Sequence, residues 1–357
     1  MTGSPDQART NTLTIPQVST MRAIVQDVYG EAEDVLRVAD VDLPTMGDDE
    51  VLVRVHAAGV DRGTWHIMGG LPYPLRLFGY GLRAPADRVR GREVAGRVEE
   101  VGKAVITLHV GDAVFGIAEG SFAEYAPART DKLARKPANL TFEQAAALTI
   151  SALTALQGIR DRGRVQPGQR VLVIGASGGV GTFAVQMAKA FGAHVTGVCS
   201  TSKVELVRSL GADHVIDYTA EDTDGGLRYD VILDAGGHRS LRRLRRMLTP
   251  RGTLVIVGSE TGGRWFGGFG RTICAMLLSP FLSEKLVPLS TSENAADLMV
   301  LTELVESGQV APVIDRSCPL EEVATAIERM QAGQARGKLV VTVIPGTATQ
   351  DAAAGHD

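Results

Sequence analysis

Residues 171–193 read VLVIGASGGVGTFAVQMAKAFGA. Four apolar residues, a glycine-rich turn and an apolar-periodic run follow one another, which predicts a buried strand, a tight turn and an amphipathic helix. Glycines let the chain turn sharply and let backbone N–H groups approach a bound group, and the helix start adds positive potential there. This is how a chain cradles a pyrophosphate. The turn Gly175, Ala176, Ser177, Gly178, Gly179, Val180 and Gly181 supplies the cradle, with Gly178, Gly179 and Gly181 as its working residues. Alone, such a triad is also no more than a tight strand–helix turn, so the flanks decide.

The flanks alternate. HVTGVCS (194–200), HVIDY (214–218), YDVILDAGG (229–237) and GTLVIVGS (252–259) are short apolar runs, and KVELVRSLGA (203–212) has helical spacing. Strand alternating with helix predicts an α/β, doubly wound parallel sheet, a Rossmann domain over residues 150–288. A carboxylate at the end of the strand after the cradle would bind ribose hydroxyls and repel a 2′-phosphate. No acid stands from Gly197 to Lys203, whereas Ser200, Thr201 and Lys203 offer hydroxyls and a cation. NADP(H) is therefore the expected cofactor. The plainer reading makes Ser200 a helix N-cap and Lys203 a solvated residue.

Upstream the period changes. MRAIVQDVYG (21–30), EVLVRVHAAGV (50–60), EVAGRVEEVG (93–102) and DAVFGIA (112–118) are β-branched runs without helices between them, so residues 21–149 read as a β-rich domain. Residues 139–159 are helical, opened by a Thr141–Gln144 capping box. Downstream, 292–310 and 318–333 read as amphipathic helices and GKLVVTV (337–343) as a strand with no partner nearby. Its return to the first domain would make that domain discontinuous, 21–149 plus 289–345. Residues 1–20 and 346–357 read as a disordered leader and tail.

Composition narrows the class. Of 357 residues, 44% are hydrophobic and 22% charged, with a net charge of −4, as in a soluble globular protein without a broad nucleic-acid-binding surface. The basic run RSLRRLRRMLTPRG (239–252) spaces Leu241, Leu244 and Leu248 helically and reads as a solvated helix face. Three scattered cysteines argue against a disulfide framework or a cysteine-rich zinc lobe. No apolar run is long enough for a membrane span and no secretory h-region is visible, so a cytoplasmic location is expected.

HAAGVDRGTWHIMGG (56–70), GREVAGRVEEVG (91–102), GDAVFG (111–116), GSFAEY (120–125), ISALTALQG (150–158) and ARGKLVVTV (335–343), together with GASGGVG, resemble the medium-chain dehydrogenase/reductase superfamily over about Met21 to Val343. The resemblance implies a GroES-like catalytic domain beside the nucleotide domain, with nicotinamide and substrate in the cleft between them. It also implies where a catalytic zinc would sit in the zinc alcohol dehydrogenases. Those positions fall here on Asp61, Arg92 and Ile150, or Ser151 in a slipped register. Arginine and isoleucine cannot ligate zinc. The chain is thus more similar to the zinc-independent, quinone oxidoreductase-like branch, with no metal expected.

Two departures from that branch stand out: Asp61 where it has Asn, and His66 where it has an active-site Tyr. His66 becomes the first candidate proton donor, against a neutral histidine packed beside Trp65. Arg92 would polarise an acceptor oxygen, or form an ion pair with Asp61 in place of the metal. Without zinc, reduction of a quinone or α,β-unsaturated carbonyl is easier than oxidation of an alcohol. Cofactor contacts implied by the resemblance are Thr154, Tyr218, Gly258, Ser259 and Lys338. Against these, Thr154 would bond its own helix, Tyr218 and Ser259 would finish strands, and Lys338 would be exposed. Residues 262–286 read as a cap over an apolar pocket, or as a helix on the domain or at a dimer interface. EKLVPLS (284–290) would then pair with its symmetry mate in a homodimer. An enoyl-thioester reductase, with a basic entrance at Arg83, Arg88 and Arg90, an alcohol dehydrogenase and a non-catalytic NADPH sensor are the competing functions.

Overall fold

The structure is a computed structural model and describes residues 19–221, 226–258, 265, 267 and 269–344. Among these residues fifteen strands form three sheets. β1 (Thr20–Val25) and β2 (Arg37–Asp42) pair as an antiparallel ribbon. β3 (Glu50–Val60), β4 (Glu93–Val101), β5 (Ala113–Ile117), β6 (Tyr125–Arg129) and β7 (Leu133–Arg135) build an antiparallel sheet around the long β3.

β8 (Arg170–Ile174), β9 (His194–Cys199), β10 (His214–Asp217), β11 (Tyr229–Asp234), β12 (Leu248–Ile256) and β13 (Lys285–Pro288) form the all-parallel sheet, ordered β10-β9-β8-β11-β12-β13. Val171 to Ile174 are buried, as a central strand covered on both faces requires. The order reverses beside β8, and the carboxyl ends of such strands are where these sheets bind ligands. β14 (Ile314–Pro319) and β15 (Lys338–Thr342) then leave this sheet: β15 pairs antiparallel with Ala57–Val60 of β3 and parallel with β14. The last strand thus completes the N-terminal sheet.

The helix Phe142–Leu156 ties the two halves. Thr141 Oγ accepts from Gln144 N and Gln144 Oε1 accepts from Thr141 N, closing the expected capping box. Its Ala-rich surface, Ala145 to Ala147 and Ala152 fully buried, lets β3, β4 and the helix Gly179–Ala190 approach closely on opposite sides. The expected division at 149/150 falls inside this helix. β14 has no sequence signature, because among IDRSCP only Cys318 is buried. Leu248, read as the last residue of a helical stripe, opens β12 instead; the helix there is Leu241–Arg246, with Leu244 buried.

The segment 262–286 contains the helix Phe269–Leu278, seated beside β13 with Ala275 buried. Its described residues do not line the cleft, so the cap expectation is not met there. Ile273, Met276, Leu277 and Phe281 are exposed next to β13, the end strand of the sheet.

Candidate active site

The glycine-rich turn does what its residues dictate. Gly175 has φ +79°, and a Cβ on Gly181 would stand 2.0 Å from Gly175 O, so only glycine lets the helix Gly179–Ala190 start against the turn. A Cβ on Gly178 would meet nothing closer than 3.5 Å, because that face opens into a cleft of about 1110 Å³. Ser177, Gly178, Gly179, Val180 and Gly181 line that cleft. Ala176 is buried beneath them. Gly337 N donates to Ser177 O at 2.8 Å, so the returning segment closes on the cradle.

At the far end of the cleft stand Ser200, Lys203 and Tyr218. Ser200 sits before the turn Thr201–Lys203, but its hydroxyl makes no capping bond, which leaves it to face the cleft. Lys203 is not simply solvated: its ammonium donates to Gly333 O and Ala335 O, both at 2.8 Å. Burial, and then the nearby Arg336, hold its pKa below the usual lysine value. The charge of Arg336 acts on Lys203, and Glu221 lines the same end of the cleft. Arg336 stands within ARGKLVVTV (335–343), a motif read for Lys338 and not for the arginine. Tyr218 is half-exposed, Gly258 is open to the cleft, and Ser259 lies outside the described residues.

Between these ends stand the three catalytic candidates, Asp61, His66 and Arg92. Asp61 is the N-cap of the helix Arg62–Gly69; its two oxygens accept from Thr64 N and Thr64 Oγ, both at 3.0 Å. It is therefore not the partner of Arg92. The Arg92 guanidinium reaches instead to Glu293, Nη2 to Oε2 2.8 Å, and Lys132 Nζ lies 3.5 Å from the same oxygen. Glu293 is 201 residues away and gave no signal in the sequence.

His66 lines the cleft, its ring 4.6 Å from that of Trp65. Its Nδ1 lies 3.1 Å from Leu71 O; a carbonyl only accepts, so Nδ1 carries the hydrogen and Nε2 is the acceptor. Burial lowers its pKa below 6.5, against the opposing Leu71 bond. The lowered pKa favours the neutral imidazole, the alternative weighed from the sequence.

Lys338 is buried rather than exposed. It donates to Val60 O at 3.0 Å and to Glu93, whose other oxygen accepts from Ile150 N at 2.7 Å. Burial pushes the Glu93 carboxyl up to about 7, with Lys338 acting in the opposite direction. A Cβ on Gly179 would lie 3.1 Å from Lys338 Cδ, so the lysine sits directly under the cradle. Thr154 Oγ donates to Ile150 O at 2.7 Å, as its plain reading had it, and lies 2.9 Å from Thr291 Oγ. Of the residues proposed for a basic entrance, Arg88 pairs with Asp27 and Arg90 is buried at 5% exposure, so neither offers a free cation at a mouth.

A doubly wound nucleotide domain, a GroES-like sheet and a cleft between them define an NAD(P)H-dependent oxidoreductase. Known proteins agree. Residues 47–138 match the alcohol dehydrogenase GroES-like domain and 210–341 the zinc-binding dehydrogenase family. The mouse mitochondrial NAD(P)H oxidoreductase RTN4IP1 is 34% identical over 91% of this chain and 90% of its own. The Coxiella burnetii quinone oxidoreductase superposes with a TM-score of 0.79 at 29% identity, over 91% of this chain and all of that one. The Escherichia coli quinone oxidoreductase, solved with NADPH, gives 0.76 at 26% identity over 90% and 100%. The chain belongs to the medium-chain dehydrogenase/reductase superfamily, in its quinone oxidoreductase-like branch. The mouse relative is named as mitochondrial, which lends no support to the cytoplasmic expectation; no described helix is long and apolar enough to cross a membrane.

The zinc in one family's name can be tested on the donor set. Asp61 has both oxygens committed to Thr64, Arg92 is a cation, and Ile150 offers no donor atom. The residues do not fit a catalytic zinc.

Proposed function

We propose that this protein transfers hydride from NADPH to the conjugated carbon of a quinone or an α,β-unsaturated carbonyl, without a metal. The observation that carries the reading is Arg92, whose guanidinium lines the cleft where family members hold zinc and has one hydrogen-bond acceptor, Glu293, among the described residues. Guanidinium has five N–H donors. Those not given to Glu293 can hold the acceptor oxygen as negative charge develops on it, the role that zinc plays elsewhere.

NADPH fits the residues present: the open Gly178 face takes the pyrophosphate, Lys338 lies beneath it, and Ser200 and Lys203 on the cleft wall take the 2′-phosphate, with the charge of Arg336 acting on Lys203. When bound it supplies the hydride. The chain does the rest. Asp61 fixes the start of the helix that carries His66 and so fixes the imidazole in the cleft. His66 accepts at Nε2 and passes a proton on, as a relay to the enolate or hydroquinone oxygen. We further propose a homodimer through the outer edge of β13 and the exposed Met276, Leu277 and Phe281 beside it.

The test is NADPH oxidation by metal-stripped protein against quinones, enones, enoyl-thioesters and alcohols in reverse. The expected result is turnover of quinones or enones that chelators leave unchanged, with Arg92→Met lowering kcat by about 10²–10³. Activity that appears only on adding zinc, or none with any acceptor, would overturn the reading.

A further inference from the structure

Arg92 does not stand in the cleft as a bare cation. Glu293 Oε2 accepts from it at 2.8 Å, and the two side chains are 22% and 18% exposed, both on the cleft wall. The carboxylate is held there by its neighbours. Ser292 exchanges two hydrogen bonds with the Gln157 side chain, each 2.8 Å, Thr291 meets Thr154, and Asn294 caps the helix Ala295–Glu306. Glu293 therefore arrives from the segment after β13 on a fixed backbone and reaches across to the start of β4.

Charges of both signs surround the guanidinium. Near Arg92 the carboxylates are Glu293, Asp61 and Glu119. The other cations are Lys132, 3.5 Å from Glu293, and Arg62 on the cleft wall. Arg92 is thus flanked by carboxylates, Glu293 directly on it, and offers an anion no unopposed cation.

We infer that Glu293 is a specificity-determining residue that restricts the acceptor to an uncharged carbonyl compound. This rests on the reductase reading above. A neutral carbonyl oxygen takes one of the remaining Arg92 N–H groups and leaves the pair intact. A carboxylate-bearing acceptor has to displace Glu293 from Arg92, stranding a half-buried carboxylate, or bind against it and be repelled. Selection arises from the repulsive element, not from a new contact.

The test compares 4-phenylbut-3-en-2-one with 2-oxo-4-phenylbut-3-enoate, the same enone with a carboxylate in place of the methyl beside the carbonyl, using full-length protein and saturating NADPH. Wild type is expected to favour the neutral enone in kcat/KM by at least about tenfold. Glu293→Gln is expected to shrink that preference about tenfold, and Glu293→Asp, which keeps the charge, to restore it. Equal kcat/KM for the two enones in wild type overturns the inference without any variant. An unchanged ratio in Glu293→Gln, with both rates lowered together, also overturns it and leaves Glu293 a structural group. If wild type reduces neither enone nor any quinone, it is the reductase reading that fails, and this inference with it.

Discussion

Replacing Lys338 by methionine tests the buried pair beneath the cradle. Lys338 and Glu93 have side-chain exposures of 2% and 0%, so the change removes the cation from a carboxylate that water cannot reach. Glu93 keeps the Ile150 N–H and loses its charge partner. Breaking a buried pair from one side costs about 3–5 kcal/mol. At ~2.1 cal/mol/K of unfolding entropy per residue, 357 residues give ~0.75 kcal/mol/K, so the melting temperature should fall by roughly 4–7 °C. The sign of the pH dependence follows from Glu93. Its folded pKa already lies above the ordinary carboxylate value, at about 7, and losing Lys338 removes the influence that opposed burial. A raised carboxyl contributes stability at acid pH that is lost as pH rises through the folded pKa. The variant's deficit should therefore be larger at pH 8 than at pH 5. Thermal and urea melts followed by tryptophan fluorescence at the two pH values measure it. Lys338→Met with Glu93→Gln should recover most of the loss. A single-variant cost below about 1 kcal/mol, or a deficit equal at both pH values, would refute the account of a buried, charge-dependent clasp.

Three further outcomes are expected. Lys203→Met should raise the KM for NADPH about 10- to 100-fold, the worth of one charged phosphate contact, and leave that for NADH unchanged; a wild type that prefers NADH would contradict the assignment. Gly181→Ala puts a Cβ 2.0 Å from Gly175 O. Relief needs a shift of about 1 Å at the helix start, so kcat/KM for NADPH should drop about 100-fold; near-normal kinetics would mean that the turn does not position the cofactor. Asp61→Ala should cost about 1 kcal/mol in urea melts through the lost cap, and Asp61→Asn, which can still cap, should restore it.

What the sequence disclosed, it disclosed locally. The glycine spacing, the Thr141–Gln144 box and the apolar runs each fix neighbouring residues by short-range sterics and hydrogen bonds, and the fold follows them. Family alignment also brought Asp61, His66 and Arg92 to one cleft. Partners stayed hidden. Arg92 meets a glutamate 201 residues on, and Lys338 meets one 245 residues back, pairings that no periodicity encodes. His66 was legible as a titratable group with two possible states, and neither the burial that favours the neutral one nor the Leu71 carbonyl at its Nδ1 was visible in the sequence. The edge strand β14 was missed because a strand with one buried side chain leaves no alternating pattern.

The pairing of β15 with β3 has a consequence for the growing chain. Ala57–Val60 leave the ribosome well before their partner Leu339–Thr342 is made. The gap of roughly 280 residues takes about 14–56 s at ordinary elongation rates. Through that interval this stretch of β3 has an open edge, the kind of surface that recruits chaperones or other strands. The parallel sheet, whose strands lie between these segments, can form first, so the nascent protein has its nucleotide half in place before its catalytic sheet is closed. A copy stalled or truncated before residue 338 would hold a cradle with no Lys338 beneath it and an unpaired edge beside it, a species for quality control to clear.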